Sequence, residues 1–115
     1  MNPRFLILSG SFVFLMVVLH FASTYQHELI HQVVYERYGI ESNIDIIYNP
    51  ITMVKTGIAG RTKAIDNSTL CDDNCNLAQS MAEIVGYNNE ITQYTIMFMA
   101  FMLLMVYLTR EKKHE

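Results

Sequence analysis

Charge is scarce in this chain. Asp, Glu, Lys and Arg make up 17% of its 115 residues, against 51% hydrophobic residues, and the formal net charge is −3. An acidic balance without a basic stripe argues against nucleic acid as a partner. Cysteine is scarcer still: Cys71 and Cys75 allow one bridge at most, in the loop "CDDNC". No internal repeat or low-complexity tract is present, and the length holds one domain.

The missing charge is missing unevenly. None occurs from Phe5 to Thr24, nor from Ile91 to Thr109. Each run can cross a hydrocarbon core of about 30 Å at about 1.5 Å per helical residue. The expected architecture is therefore mainly α and membrane-bound. Two long antiparallel transmembrane helices extend outside the bilayer, with a small β or loop insertion between them. Residues 1–24 form the first span, 25–90 the extracytoplasmic region, 91–109 the second span and 110–115 a cytoplasmic tail. A cleaved signal sequence is the weaker reading of the first run. Its apolar core exceeds the usual ~7–15 residues, and helical spacing continues beyond it.

Charge placement sets the orientation. The ends carry Arg4, Arg110, Lys112 and Lys113 against two acids, whereas residues 25–90 hold nine acidic and four basic residues. The positive-inside rule then places both termini in the cytoplasm and the middle outside. An oxidising compartment would let Cys71 and Cys75 persist as a disulfide, and Asn67-Ser68-Thr69 is a glycosylation-type triplet. Met97, Met99, Met102 and Met105 in the second run read as adaptable packing rather than a Cu(I) site.

Leu29, Ile30, Val33, Val34 and Tyr38 carry the first helix onward to a stop at Gly39, so residues 4–38 form one rod. "SNIDIIYNP" reads as a short strand around Ile44 to Tyr48, broken by Asn49-Pro50. "ITMVKTGIAGRTKAI" reads as a hairpin or loop. Asn76 or Cys75 would cap a second long helix starting near Leu77.

The protruding part of the first helix holds His27-Glu28-Leu29-Ile30-His31. Two histidines four residues apart lie on one face, about 5.4 Å apart along the axis, and can converge on one tetrahedral ion. Glu28 beside them can take a proton from a water on that ion. Composition alone yields roughly 0.01 such motifs in a chain of this kind. The competing reading is a solvated interfacial helix face.

A zinc site needs a third protein ligand. His20 shares the helical face but lies about 10 Å below His27, too far to coordinate with it; it reads as a polar contact to the other helix. If the two helices are antiparallel, Glu83 stands at the height of His31 and is the better candidate. Glu90 stands lower, level with Tyr25, and the reach of Asp72 and Asp73 is open.

His27-Glu28-Leu29-Ile30-His31, followed by a glutamate on a later helix in "SMAEIVGYNNE", resembles the gluzincin type of zinc metallopeptidase. The resemblance implies His27, His31 and Glu83 as zinc ligands and Glu28 as the catalytic base. The order of HELIH, "YERYGI", strands, a Cys-containing loop and "AEIVGY" is also similar to small membrane proteins of archaeal type, over most of residues 20–90. The stretch from His31 to Glu83 is longer than in the best-known gluzincins. No histidine stands ready as an oxyanion donor, which leaves Tyr87 and Tyr48.

Three functions follow as expectations. The first is a membrane-anchored zinc hydrolase, a peptidase at the outer membrane face, with the strand near Ile44 pairing with an extended peptide substrate. The second is a non-catalytic small subunit of a larger membrane complex, such as an oxidase or monooxygenase, with a structural metal site or none. The third is metal handling or sensing. So little protein outside the spans leaves scant room for a substrate cleft.

Overall fold

In the computed structural model, residues 3–66 and 71–111 are described. The chain runs through α1 (Pro3–Arg37), β1 (Ser42–Ile46), α2 (Pro50–Thr56), β2 (Gly60–Ala64) and α3 (Asp73–Glu111). The Asn67-Ser68-Thr69 triplet, Lys112 and Lys113 lie outside the described residues.

The two long helices pack side by side in opposite directions. Phe12 stacks on Phe101 with ring centroids 4.0 Å apart, His20 Nδ1 lies 3.2 Å from the Tyr94 hydroxyl, and Gln93 Nε2 donates to Gln26 Oε1 at 2.8 Å. Both helices contain stretches long and apolar enough to cross a membrane, and none of either stretch is buried within the chain. Phe5, Leu6, Phe14 and Val17 on α1 and Phe98, Met99 and Leu103 on α3 are all exposed.

Burial on α1 falls instead on polar residues. Ser23, Thr24, His27 and Glu28 are its buried side chains, and they share one helical face. Among the described residues the buried apolar set is only Ile40, Cys75 and Ala82. A water-soluble fold of this length buries its large apolar side chains; here many of those on α1 and α3 are exposed.

α1 ends where the sequence predicts. Gly39 takes φ of +70°, Gly39 N donates to Glu36 O, and Ile40 N donates to Tyr35 O, the hydrogen-bond pair of a Schellman stop. Ile40 is then buried, which turns the chain back along the helix.

β1 and β2 form an antiparallel pair with Ser42 opposite Ala64 and Ile46 opposite Gly60. The predicted strand around Ile44 to Tyr48 therefore starts and ends two residues early. Asn49-Pro50 does more than break it. Asn49 Oδ1 accepts from Ile51 N and Thr52 N, Pro50 occupies the first turn where no N–H is needed, and Gly57 closes the C-terminus at φ of +67°. The segment read as a hairpin or loop thus carries a seven-residue helix at its tip.

α3 starts four residues before the expected Leu77. Its cap is Asp72, whose Oδ1 accepts from Cys75 N at 2.8 Å, not Asn76 or Cys75. Cys71 and Cys75 are joined by a disulfide across this first turn.

Candidate metal centre

HELIH lies on the buried face of α1, against α3. His27 Nε2 stands 3.3 Å from Glu83 Oε2, and His31 Nε2 stands 2.7 Å from the same oxygen. One donor atom from each of His27, His31 and Glu83 lies within 4.8 Å of the others, so the three could hold a metal ion. The antiparallel packing brings Glu83 to the height of His31, as the helical rise requires. His20 is not part of the group; it faces Tyr94, lower on α3.

The remaining ring nitrogens determine what the group can do. A carboxylate only accepts, so His27 Nδ1 donates to Glu90 Oε1 at 3.1 Å. Gln79 Nε2 donates to the His31 carbonyl oxygen at 3.1 Å, which turns Gln79 Oε1 toward the ring to accept from His31 Nδ1 at 2.5 Å. In the neutral imidazoles each Nε2 then carries a lone pair, and both lone pairs face a carboxylate oxygen. Three acceptors at these distances require a positive centre among them, either ring protons or a metal ion. An outer-sphere acceptor on the far nitrogen is the usual support for a ligating histidine.

Two of the three donor separations can be set beside those around a tetrahedral ion. Donors about 2.05 Å from a tetrahedral ion stand about 3.3 Å apart. The His27–Glu83 distance already has that value, while the His31–Glu83 distance of 2.7 Å must widen by about 0.6 Å.

The sequence reading set Glu90 aside as too low, and Gln79 was not considered. Glu90 does lie below Glu83, but an imidazole spans the difference because its two nitrogens point opposite ways. Truncating Glu90 to Ala is expected to weaken metal binding by about 10–100-fold, measured by competition with a chromogenic chelator.

Gly86 was also missed. A Cβ at this position would come within 2.6 Å of His27 Cδ2 and 2.7 Å of its Cγ and Nε2. A glycine inside a helix costs about 1 kcal/mol relative to alanine, and the close approach of the His27 ring accounts for it. Gly86→Ala is expected to keep or raise helix content by circular dichroism, yet lower metal affinity by at least about tenfold, because the displaced ring loses Glu90.

The ionisation of Glu83 suits a ligand. Burial works to raise its pKa, but the hydrogen bond and charge of His27, with hydrogen bonds from His31 and Tyr87, outweigh it and hold the carboxyl below its ordinary value. The hydrogen bond to Glu83, reinforced by that residue's charge, pushes the Tyr87 hydroxyl up. Tyr87 also sets its ring edge-on to His27 at 5.0 Å. Of the two tyrosines considered as donors to a substrate oxygen, Tyr87 is at the site. Tyr48 packs against Phe21 and is not part of the cleft wall.

A cleft of about 510 Å³ opens beside this group, lined by His27, His31, Glu83, Glu28, Tyr87 and β2 among others. The hairpin stands off α1 and α3 and leaves an open groove beside the group, more room than the sequence suggested. β2, through Gly60, Arg61 and Thr62, borders the cleft, and β1 is not among its lining residues.

Glu28 faces β2. Thr62 Oγ1 lies 2.8 Å from Glu28 Oε2 and 2.9 Å from the Glu28 carbonyl oxygen, so one hydroxyl hydrogen serves two acceptors of the same residue. A Cβ at Gly60 would fall 3.1 Å from Glu28 Cγ and 2.9 Å from Thr24 Cγ2, so this glycine lets the strand close onto α1. Asp72, whose reach was open, is committed to capping α3.

No family model, curated protein or solved structure matches this chain. What the site can do is therefore read from its own geometry.

Proposed function

We propose that this chain is a membrane-anchored zinc hydrolase, a peptidase working at the outer face of the bilayer. His27, His31 and Glu83 would be its ligands and Glu28 its general base. The observation carrying the reading is the convergence of the Nε2 atoms of His27 and His31 on Glu83 Oε2, with each Nδ1 held by Glu90 or Gln79. The exposed apolar stretches of α1 and α3 support two membrane spans, and the basic ends support cytoplasmic termini with residues 25–90 outside.

Zinc in such a setting lowers the pKa of a bound water to about 7 and polarises a carbonyl group. Glu28, held by Thr62 at the cleft wall, would accept the proton released as water adds to the carbonyl carbon. The new C–O bond forms, the C–N bond breaks, and Glu28 returns the proton to the leaving amine. Tyr87, beside the ligands, would hydrogen-bond the carbonyl oxygen. Glu83 is the most open member of the group, its side chain 45% exposed against 8% for His27 and 14% for His31, which leaves room for substrate on its side. The test is hydrolysis of quenched fluorescent peptides by protein in lipid nanodiscs. Cleavage abolished by a chelator and restored by zinc supports the reading; cleavage that ignores the chelator defeats it.

One observation favours a second reading, a small subunit of a larger membrane complex. Among the described residues three buried apolar ones make a thin core, and a two-helix hairpin with exposed apolar faces can gain from packing against other spans. Zinc in that case would be structural, and Glu28 would have no proton to move.

A further inference from the structure

We infer that α2 and the hairpin tip around it are seated in the outer interface of the bilayer, bringing the lower end of the metal cleft to the membrane surface. The inference rests on the membrane reading above.

The hairpin descends α1 step by step. Gln32 Nε2 donates to the Ser42 carbonyl oxygen, Thr62 meets Glu28, Gly60 meets Thr24, and Tyr48 packs against Phe21 with ring centroids 5.4 Å apart. Thr24 closes the apolar part of the first span, ahead of Tyr25-Gln26-His27, and Phe21 lies about one turn inside it. The tip, residues 47–59, therefore reaches the level where hydrocarbon begins.

Its composition suits that level. From Ile46 to Gly60 the only charged residue is Lys55. Ile51 and Val54 lie three residues apart on α2, Ile58 follows its C-cap, and they are 64%, 85% and 41% exposed. Among the described residues α2 packs against no other helix or strand. A seven-residue helix has little stability in water even with good caps, so its apolar face needs a cover. Tyr48, 73% exposed, lies just before α2 and is joined to α1 by its contact with Phe21. Lys55 can extend its ammonium to the headgroups, and Tyr48 has the amphipathic ring typical of the interface. The lower wall of the cleft, from Gly57 to Gly60 with His20 and Thr24, then opens at headgroup height. A substrate would arrive along the membrane surface.

The chain has no tryptophan, so single substitutions report depth without background. Val54→Trp, Leu77→Trp and Phe98→Trp place the probe on α2, near the outer end of α3 and inside the second apolar run, all at exposed positions. Each variant is reconstituted into phosphatidylcholine vesicles brominated near the headgroup or deep in the chains. Seating at about 5–10 Å depth predicts that Val54→Trp is quenched about twofold by the shallow bromines, with emission blue-shifted from that of Leu77→Trp. Unquenched Val54→Trp emission matching Leu77→Trp, with Phe98→Trp quenched by the deep bromines, overturns the seating but leaves the spans intact. Phe98→Trp left unquenched overturns the membrane reading and the seating with it. Far-ultraviolet circular dichroism matching the wild type confirms that each variant is folded before quenching is read.

Discussion

Glu28→Gln is expected to lower peptide turnover by about 10²–10⁴-fold while zinc content and affinity stay within about twofold of the wild type. The glutamine keeps the shape of the side chain, and its amide oxygen can still accept from Thr62, so the hairpin keeps its seat on α1. It cannot take up a proton. The loss therefore belongs in kcat and not in metal binding, and paired measurements of both on one preparation separate the two. Wild-type turnover in Glu28→Gln would rule out a base at this position and favour the structural-subunit reading.

Removing a ligand has the opposite signature. Glu83→Ala takes away the one oxygen on which both Nε2 atoms converge, leaving two histidines that cannot complete a tetrahedral set. His31→Ala removes a ring that also ties α3 to α1 through Gln79. Both variants are expected to lose at least about 10²-fold in zinc affinity, with Glu83→Ala keeping near-wild-type helix content, because the Glu83 side chain is about half exposed. Calorimetric titration of zinc into chelator-treated protein reads this directly. Unchanged affinity in Glu83→Ala would reassign the third ligand.

Much of this arrangement was legible in the sequence, for reasons that differ from residue to residue. The two apolar runs, the stop at Gly39 and the height match of His31 with Glu83 follow from helical rise and residue type, which neighbours in space do not alter. The capped helix at Pro50–Thr56 was signalled by Asn49-Pro50 and Gly57, but its β-branched residues masked a segment too short to show a period. The lower height of Glu90 was legible, but its contact with the far nitrogen of His27 was not, because an imidazole and a carboxylate each reach several ångströms along the helix axis. Gln79 and Gly86 carry no charge or motif. One holds a proton on His31 and the other makes room for His27, and both roles exist only once α3 lies against α1.

The most direct measurement is zinc K-edge X-ray absorption on the purified, zinc-loaded protein in detergent. The expected spectrum shows about four nitrogen or oxygen donors near 2.0–2.1 Å, with the outer-shell scattering of two imidazoles and no sulfur near 2.3 Å. That result would establish a site made of His27, His31, a carboxylate and one exchangeable position, with outer-shell scattering falling to one imidazole in His31→Ala. Six oxygen donors without imidazole scattering, or no zinc retained by protein never exposed to chelator, would contradict a metal centre at HELIH.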